Sequence, residues 1–417
     1  MLNIRIIYIC CLILTFASCK MKDEITCYGG SDSDLVQLLE KEGYTLKFYP
    51  SVSEALQNAP EKSGVLLLSD SYPVKGTSIS QEDESLIEAK SLRVLVEFPQ
   101  RIGTTDSSKS DTLNLERIVV CDSINTELPF MSLLSFNRCI LKETSDSINH
   151  PILVAAKVAG FDKAVYGLKD TETRPVLYYR TPHLLVSTTC ISHFASDRYM
   201  PEQKIKSLYE YIFRWLLSKN TVTFSSWITY ITPSYTPSDV LPENAGYESI
   251  KKGIEWFYNG HFLVNSEWKQ NWVDKYMGDG TMPIGPSIPD QFQNGDGSLG
   301  VLEGHMSEIR YDGSQLYRYW MRADVQGEAS YAFAAAGDLL ENNEYSKVAT
   351  NLIDYSFKEY RDSERNDPAS PSYGLLGWAY THKGTYYGDD NARFLLGVIA
   401  SCLLYTSDAA DDRISVD

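Results

Sequence analysis

The stretch Val65-Leu66-Leu67-Leu68 decides how the first half of the chain folds, because consecutive apolar residues between polar ones predict a strand buried on both faces. Arg93-Val94-Leu95-Val96 and Ile118-Val119-Val120 repeat this pattern further along the chain. Helical stretches alternate with these strands, at Asp34 to Glu42 and at Gln203 to Leu217. Alternating strands and helices predict βαβ units and therefore a mostly parallel sheet with helices on its faces.

Two longer motifs carry a family resemblance in this part of the chain. They are Arg93-Val-Leu-Val-Glu97-Phe-Pro99 and Val158-Ala-Gly-Phe-Asp162-Lys-Ala-Val-Tyr166-Gly, followed by a closing helix that contains Trp215-Leu. On these motifs, residues 25–220 resemble the class I glutamine amidotransferase-like fold, a flavodoxin-type α/β domain, in the copies found beside glycosidase domains. The resemblance implies an α/β scaffold next to a glycan-active domain.

The cysteines bear on whether this first domain is an enzyme. An amidotransferase of that family needs a nucleophilic Cys on a Gly-x-Cys-x-Gly elbow, whereas Cys121 stands in Val-Val-Cys-Asp-Ser and Cys190 in Thr-Thr-Cys-Ile-Ser. Cys190 and His193 also allow a nucleophile and base, but a strand-end Cys beside a loop His is favoured, because triad partners are rarely sequence neighbours. The four cysteines Cys27, Cys121, Cys139 and Cys190 do not show the paired spacing of metal ligands. The sequence does not assign any disulfide among them. We predict a non-catalytic domain.

The N-terminus predicts export and a lipid anchor. The apolar run from Ile6 to Phe16 is shorter than the about 20 residues that a membrane-spanning helix needs. Residues 1–18 therefore form a signal peptide, and Phe16-Ala17-Ser18-Cys19 resembles the lipobox of bacterial lipoproteins. We expect lipidation at Cys19, an anchor linker at 19–24, and a place outside the cytoplasm at the outer membrane, on its periplasmic or cell-surface side. The alternative is an ordinary signal peptide with a chance Cys.

The second half of the chain changes to a helical pattern after a predicted linker at 221–245. Apolar residues at helical spacing predict helices from Tyr247 to His261, from Ala329 to Leu340, from Tyr345 to Tyr360 and from Asp389 onward. A long stretch from Met277 to Ser314, rich in Gly, Pro, Asp and Asn, separates the first two. Loops of that length in compact domains are usually functional or disordered.

Several motifs in residues 246–401 carry a second resemblance. They are Asp296-Gly-Ser-Leu-Gly-Val-Leu-Glu303-Gly, Tyr311-Asp312-Gly-Ser-Gln315, Arg322-Ala-Asp324 with Glu328, and Tyr386-Tyr-Gly-Asp389-Asp390-Asn391-Ala-Arg393. The stretch resembles six-hairpin glycosidases of polysaccharide-utilisation systems, which implies an (α/α)6 toroid and glycoside hydrolase activity. The predicted fold is thus multidomain, with an α/β flavodoxin/amidotransferase-like domain followed by an all-α (α/α)6 toroid fragment.

Glycoside hydrolysis uses two carboxyl groups that flank the scissile bond, and the acids of these motifs are the candidates. We predict Glu303 and Asp324 as the catalytic pair. The predicted substrate-binding residues are His305, Arg310, Asp312, Trp320, Arg322, Asp389, Asp390 and Arg393. The arginines hint at a uronic-acid substrate held by bidentate contacts, although acids next to arginines at a helix start are also ordinary structural ion pairs.

The C-terminus is expected to be foreign to the protein. Residues 402–417 resemble translated sequencing adaptor, so the helical domain is predicted to be truncated at about residue 401 and the fragment inactive. The alternative is a genuine acidic terminus.

Composition limits the partners. A formal net charge of −17 disfavours nucleic acid, which needs a basic face, whereas 28 Tyr and 7 Trp supply aromatic rings that stack on sugars. We predict a glycan substrate and a membrane contact through the lipid, with no cofactor and no assigned metal site. Gly-Asp296-Gly-Ser and Gly278-Asp-Gly280 resemble calcium loops but do not match the full EF-hand pattern, so bound Ca²⁺ stays an open alternative. The competing hypothesis is a non-catalytic surface lipoprotein that binds a glycan or a partner.

Overall fold

The computed structural model describes residues 23–107, 109–144, 146, 148–200, 202–231, 233–236, 238–360 and 364–414. These residues form two compact units. The first comprises the described residues through Ile231 together with Ile309–Ser314, and the second comprises Pro233–Glu308 and the described residues from Gln315 onward. The predicted lipidation site Cys19 and the signal peptide lie outside the described residues.

The strands of the first unit build one large sheet and two small ones. In chain order they are β1 (Glu24–Tyr28), β2 (Thr45–Phe48), β3 (Gly64–Leu67), β4 (Thr77–Ile79), β5 (Arg93–Glu97), β6 (Pro99–Ile102), β7 (Thr105–Asp106), β8 (Ser110–Thr112), β9 (Arg117–Val120), β10 (Leu133–Leu134), β11 (Ile140–Lys142), β12 (Leu153–Ala156), β13 (Thr173–Thr181) and β14 (Leu184–Ser187). The large sheet has the order β10-β9-β12-β13-β14-β5-β3-β1-β2, and β11-β8 and β4-β6-β7 form the small sheets. The three strands expected around Val65, Val94 and Val119 are confirmed.

The first unit contains the two helices predicted near Asp34 and Gln203, and two short helices that were not predicted. They are α1 (Asp34–Lys41), α2 (Val52–Asn58), α3 (Gln81–Ala89) and α4 (Glu202–Leu216), with a 3₁₀ turn at Ile191–Phe194. The side chains of Ser33, Ser51 and Ser80 accept hydrogen bonds from backbone amides of the first turns of α1, α2 and α3. These caps satisfy donors that a helix start otherwise leaves unpaired.

The prediction of a mostly parallel sheet is wrong for half of the large sheet. Strands β2, β1, β3, β5 and β14 are parallel neighbours, whereas β14, β13, β12, β9 and β10 pair antiparallel. The physical reason lies in the connections: only Pro182 and His183 join β13 to β14, and parallel neighbours need a crossover of a dozen residues or more.

The predicted linker at 221–245 begins too early. Val222, Phe224, Trp227 and Ile228 are buried in the core of the first unit, which α4 also lines. Burial of apolar side chains of this size is favourable, so this segment is part of the hydrophobic core and is not a linker.

The second unit is a helical region with a small antiparallel sheet. Its helices are α5 (Ala245–Asn259), α6 (Ser266–Trp268), a π-helical turn (Lys269–Asp274), α7 (Lys275–Met277), α8 (Ala323–Leu339), α9 (Asn343–Glu359), a 3₁₀ turn (Glu364–Asn366) and α10 (Gly388–Ile414). The strands β15 (Ile284–Gly285), β16 (Gly304–His305) and β17 (Tyr317–Arg318) pair in the order β15-β17-β16. The four predicted helices are confirmed.

No helix in the part of the chain that the structure describes is both long enough and apolar enough to cross a membrane.

Helices α8 and α10 pack at unusually close range. A Cβ atom at Gly397 would lie 2.1 Å from the carbonyl oxygen of Gly327, and one at Gly327 would lie 2.6 Å from Cα of Phe394. One turn further on, the hydroxyls of Ser330 and Ser401 are 3.0 Å apart. The contacts advance together along both helices, so α8 and α10 run in the same direction.

We predict that Gly397→Ala destabilises the second unit by about 2 kcal/mol, because the added methyl forces the α8 backbone away. Chemical denaturation measures the effect. Gly253→Ala in α5 is the matched control, since a Cβ there meets nothing within 4 Å. It should be stabilising by about 0.5–1 kcal/mol. Equal effects of the two substitutions would contradict the close contact.

Candidate functional site

The site in the second unit is built on a backbone pairing between two distant segments. The amide of Ala323 donates to the carbonyl of Trp378 (2.9 Å), and the amide of Tyr380 donates to the carbonyl of Met321 (3.0 Å). This pairing sets the rings of Trp320 and Trp378 edge to face, with centroids 5.0 Å apart. Two loops that precede α8 and α10 are thereby held side by side.

Asp324 lies in the first turn of α8 with no exposed side-chain surface. Its Oδ2 accepts a hydrogen bond from Nη2 of Arg322 (2.7 Å), and Nη1 of Arg393 lies 3.5 Å from the same oxygen. The helix N-terminus and two guanidinium groups thus surround this buried carboxyl group with positive charge.

Asp390 meets Asp324 from the first turn of α10. It is nearly buried and hydrogen-bonds to Asp324, so one of the two carboxyl groups holds a proton. Burial, the hydrogen bond to Asp324 and the negative charge of Asp324 raise the pKa of Asp390 to about 6. The neighbouring Asn391 fixes this turn, because its side chain bonds both the amide (2.8 Å) and the carbonyl (3.0 Å) of Leu376. Asp390 is therefore a carboxylic acid poised to give up a proton near neutral pH.

Buried polar atoms without protein partners recur along the segment that leads into α8. Within residues 303–324, the buried atoms that lack a hydrogen-bond partner are Glu303 Oε2, His305 Nδ1, Trp320 Nε1, Arg322 Nε and Asp324 Oδ1. A buried polar group without a partner costs free energy, so native proteins rarely keep several together without a reason. The set combines donors with acceptors, which suits a ligand rich in hydroxyl groups.

Glu303 approaches the same region from the small sheet. Its amide donates to the carbonyl of Trp320 (2.8 Å), and its Oε1 accepts from Nη1 of Arg318 (2.9 Å). Glu303 and Glu328 both line a mostly apolar groove of about 550 Å³ between α5 and α8. Nε of Arg393 lies 4.0 Å from Glu328 and thereby connects the groove to the buried acid pair.

Most of the predicted residues are brought together. Arg322, Asp324, Asp389, Asp390 and Arg393 form one cluster, with Nη2 of Arg393 4.0 Å from Asp389, and Trp320 lies two residues before Arg322. Glu303 adjoins this cluster through the backbone of Trp320.

Three of the predicted residues have other surroundings. His305 lies among aromatic rings, 4.5 Å from Tyr317 between centroids, and burial lowers its pKa. Arg310 and Asp312 belong to the first unit, where Asp312 Oδ1 accepts from both the amide and the hydroxyl of Ser314 in a tight turn. The structure does not place these two in the cluster.

Sequence reasoning missed the aromatic and basic residues that complete the site. Arg318 pairs with Glu303, and its guanidinium lies 5.8 Å from the ring centroid of Trp320. The rings of Trp378 and Tyr387 meet edge to face at 5.3 Å, and Tyr387 is 45% exposed. Tyr387 stands directly before α10, and that position is the one signal that could have drawn attention to it.

The first unit holds its polar groups in structural roles. Glu97 is fully buried at the end of β5 and accepts from the amide of Ser69 (3.0 Å) and from the amide and hydroxyl of Ser192 (2.9 and 2.8 Å). Burial raises the pKa of the Cys190 thiol well above its ordinary value, and a thiolate is the nucleophilic form. The Cys190 thiol is therefore held in its neutral form near the hydrogen-bonded carboxylate of Glu97.

Among the residues that the structure describes, no group of three or more His, Cys, Asp or Glu side chains is placed to hold a metal ion.

Comparison of the chain with protein-family models, with curated proteins and with solved structures found no match in any of the three.

We predict that the stability of the second unit falls as the pH rises through about 6. The pKa of Asp390 in the folded chain, about 6, lies above its ordinary 3.8, so between these values the folded chain holds a proton that the unfolded chain releases. Urea unfolding across this range measures the effect. Asp390→Asn should flatten the dependence, whereas Asp354→Asn, at an exposed position of α9, should leave it intact. Parallel profiles for all three proteins would refute the shared proton.

Proposed function

We propose that the second unit is a glycoside hydrolase site in which Asp390 is the general acid. The observation that carries the proposal is the contact between Asp390 and Asp324, which keeps a proton on a carboxyl group up to a pH of about 6. Glycosidases need one carboxyl group protonated and another ionised, and unlike environments are what separate the two.

Each residue has a distinct role in the proposed reaction. Asp390 donates its proton to the glycosidic oxygen as the bond to the anomeric carbon breaks, so the leaving sugar departs as an alcohol. Glu303 takes a proton from the water that attacks the anomeric carbon, and its Oε2 has no donor among the described residues. Asp324 is fully buried, so it acts as a positioning residue that sets the pKa of Asp390 rather than touching substrate.

The aromatic residues give the proposed site its affinity for sugar. Trp320, Trp378 and Tyr387 form a continuous set of edge-to-face contacts beside the acid pair. Aromatic faces pack on the apolar faces of pyranose rings, while the unpartnered Nε1 of Trp320 is a donor for a hydroxyl group.

The helical arrangement supports an (α/α)6 toroid as the fold of this unit. Helices α8 and α10 run in the same direction in close contact, and the intervening α9 returns the chain between them. Repeated hairpins of this kind, with parallel inner helices, generate the toroid. In this proposal the first unit is a scaffold, and a lipid on Cys19 holds the protein outside the cytoplasm for use in glycan degradation.

One observation favours the alternative of a non-catalytic glycan-binding protein. Glu303 and Asp324 are each paired with an arginine, at 2.9 and 2.7 Å, so both carboxylates also have a structural use. Retained glycan binding without turnover is the outcome that would select this alternative.

We predict that Asp390→Asn lowers kcat at least about 100-fold while glycan binding persists, because general-acid catalysis contributes about 10²- to 10⁴-fold. A panel of plant and host oligosaccharides, assayed for released sugar and by calorimetry, measures both. Asp354→Asn is the control and should retain full activity.

The pH profile separates the two acids. In the wild type kcat/KM should decline above a pH of about 6, where Asp390 loses its proton. Asp324→Asn removes the charge that holds this proton, so the decline should move to lower pH. An unchanged profile would assign Asp324 a purely structural role, and hydrolysis that survives Asp390→Asn would remove Asp390 as the acid.

A further inference from the structure

We infer that this site selects neutral glycans and discriminates against uronate-containing ones, an inference that rests on the proposed function. It reverses the expectation from the sequence, in which free arginines clamp the carboxylate of an acidic sugar. Two observations support the inference. The arginines of the site already lie against carboxylates, and acidic side chains outnumber arginines around Asp324 and Asp390.

Each guanidinium group of the site already lies against at least one carboxylate. Arg322 donates to Asp324 at 2.7 Å, and Arg318 donates to Glu303 at 2.9 Å. Arg393 lies within 4.0 Å of Asp324, Glu328 and Asp389. A substrate carboxylate would have to compete with these acids for the same guanidinium groups, and any loss of pairing is costly for the buried Asp324.

The charge of the cluster also opposes an acidic ligand. The carboxyl groups of Asp324, Glu328, Asp389 and Asp390 surround the guanidinium groups of Arg322 and Arg393. The acids outnumber the arginines even when Asp390 keeps its proton. Like charges in a partly buried site repel more strongly than in bulk water, so an incoming carboxylate meets net repulsion.

The unpartnered atoms specify the complementary ligand group. Glu303 Oε2 is an acceptor without a donor, and Trp320 Nε1 and Arg322 Nε are donors without an acceptor. A hydroxyl group both donates and accepts, whereas a carboxylate only accepts. At the carbon where the two sugars differ, a neutral sugar offers a hydroxymethyl group that can donate to Glu303 Oε2, whereas a uronate offers only acceptors there.

The test compares each uronate-containing oligosaccharide with its carboxyl-reduced counterpart, which keeps the same linkages and removes the charge. We expect the reduced form to bind the chain about tenfold more tightly in calorimetry at neutral pH, equal to about 1.4 kcal/mol. Asp389→Asn removes an exposed charge from the cluster and should reduce the ratio of the two dissociation constants, that of the uronate form over that of the reduced form. Asp354→Asn should leave this ratio unchanged.

The outcomes separate this inference from the proposed function. Tighter binding of the free uronate, or a ratio that Asp389→Asn leaves unchanged, overturns the selectivity while a glycan site remains. Failure to bind either form removes the glycan site itself, and the selectivity with it.

Discussion

The contact between Gly327 of α8 and Gly397 of α10 is the constraint on which the second unit depends. With no Cβ on either residue, the two backbones approach to a distance that any side chain would prevent. Asp324 lies one turn before Gly327, and Asp390 lies two turns before Gly397, so the close crossing also brings the two helix N-termini together. The acid pair is in this sense a consequence of helix packing.

The charges of Asp324 and Asp390 determine how the neighbouring arginines are used. Two ionised carboxylates in contact would repel, and retention of one proton on Asp390 relieves that repulsion. Arg322 and Arg393 neutralise much of the remaining charge of Asp324. An acidic ligand would compete with these carboxylates for the same arginines, so in our proposal the arrangement that supplies the catalytic proton also restricts which sugars the site accepts.

The sequence predicted the local elements of this protein better than the contacts between them. Helices such as α4, α8 and α9 follow from the spacing of their apolar residues, and the buried strands follow from short apolar runs. The antiparallel half of the large sheet did not follow, because a two-residue connection at Pro182 reverses the chain and apolar runs carry no direction.

The same limit applies to the site. Asp324, Asp390, Arg322 and Arg393 were all candidates from the motifs, yet their roles depend on a backbone pairing between residues 321–323 and 378–380. That pairing joins segments far apart in the chain, and no periodic pattern in the sequence indicates it. In our proposal Asp324, which was predicted to face the substrate, acts instead as a positioning residue because it is buried.

The small residues at the crossing have an evolutionary consequence. Gly327 with Ser330 on one helix, and Gly397 with Ser401 on the other, occupy places where a larger residue breaks the contact. Surface positions of the same helices accept substitutions without this steric restriction. Two short patterns of small residues, each following an acidic residue at fixed helical spacing, should thus persist in distant relatives after overall identity has faded, and they offer a fingerprint for recognising them.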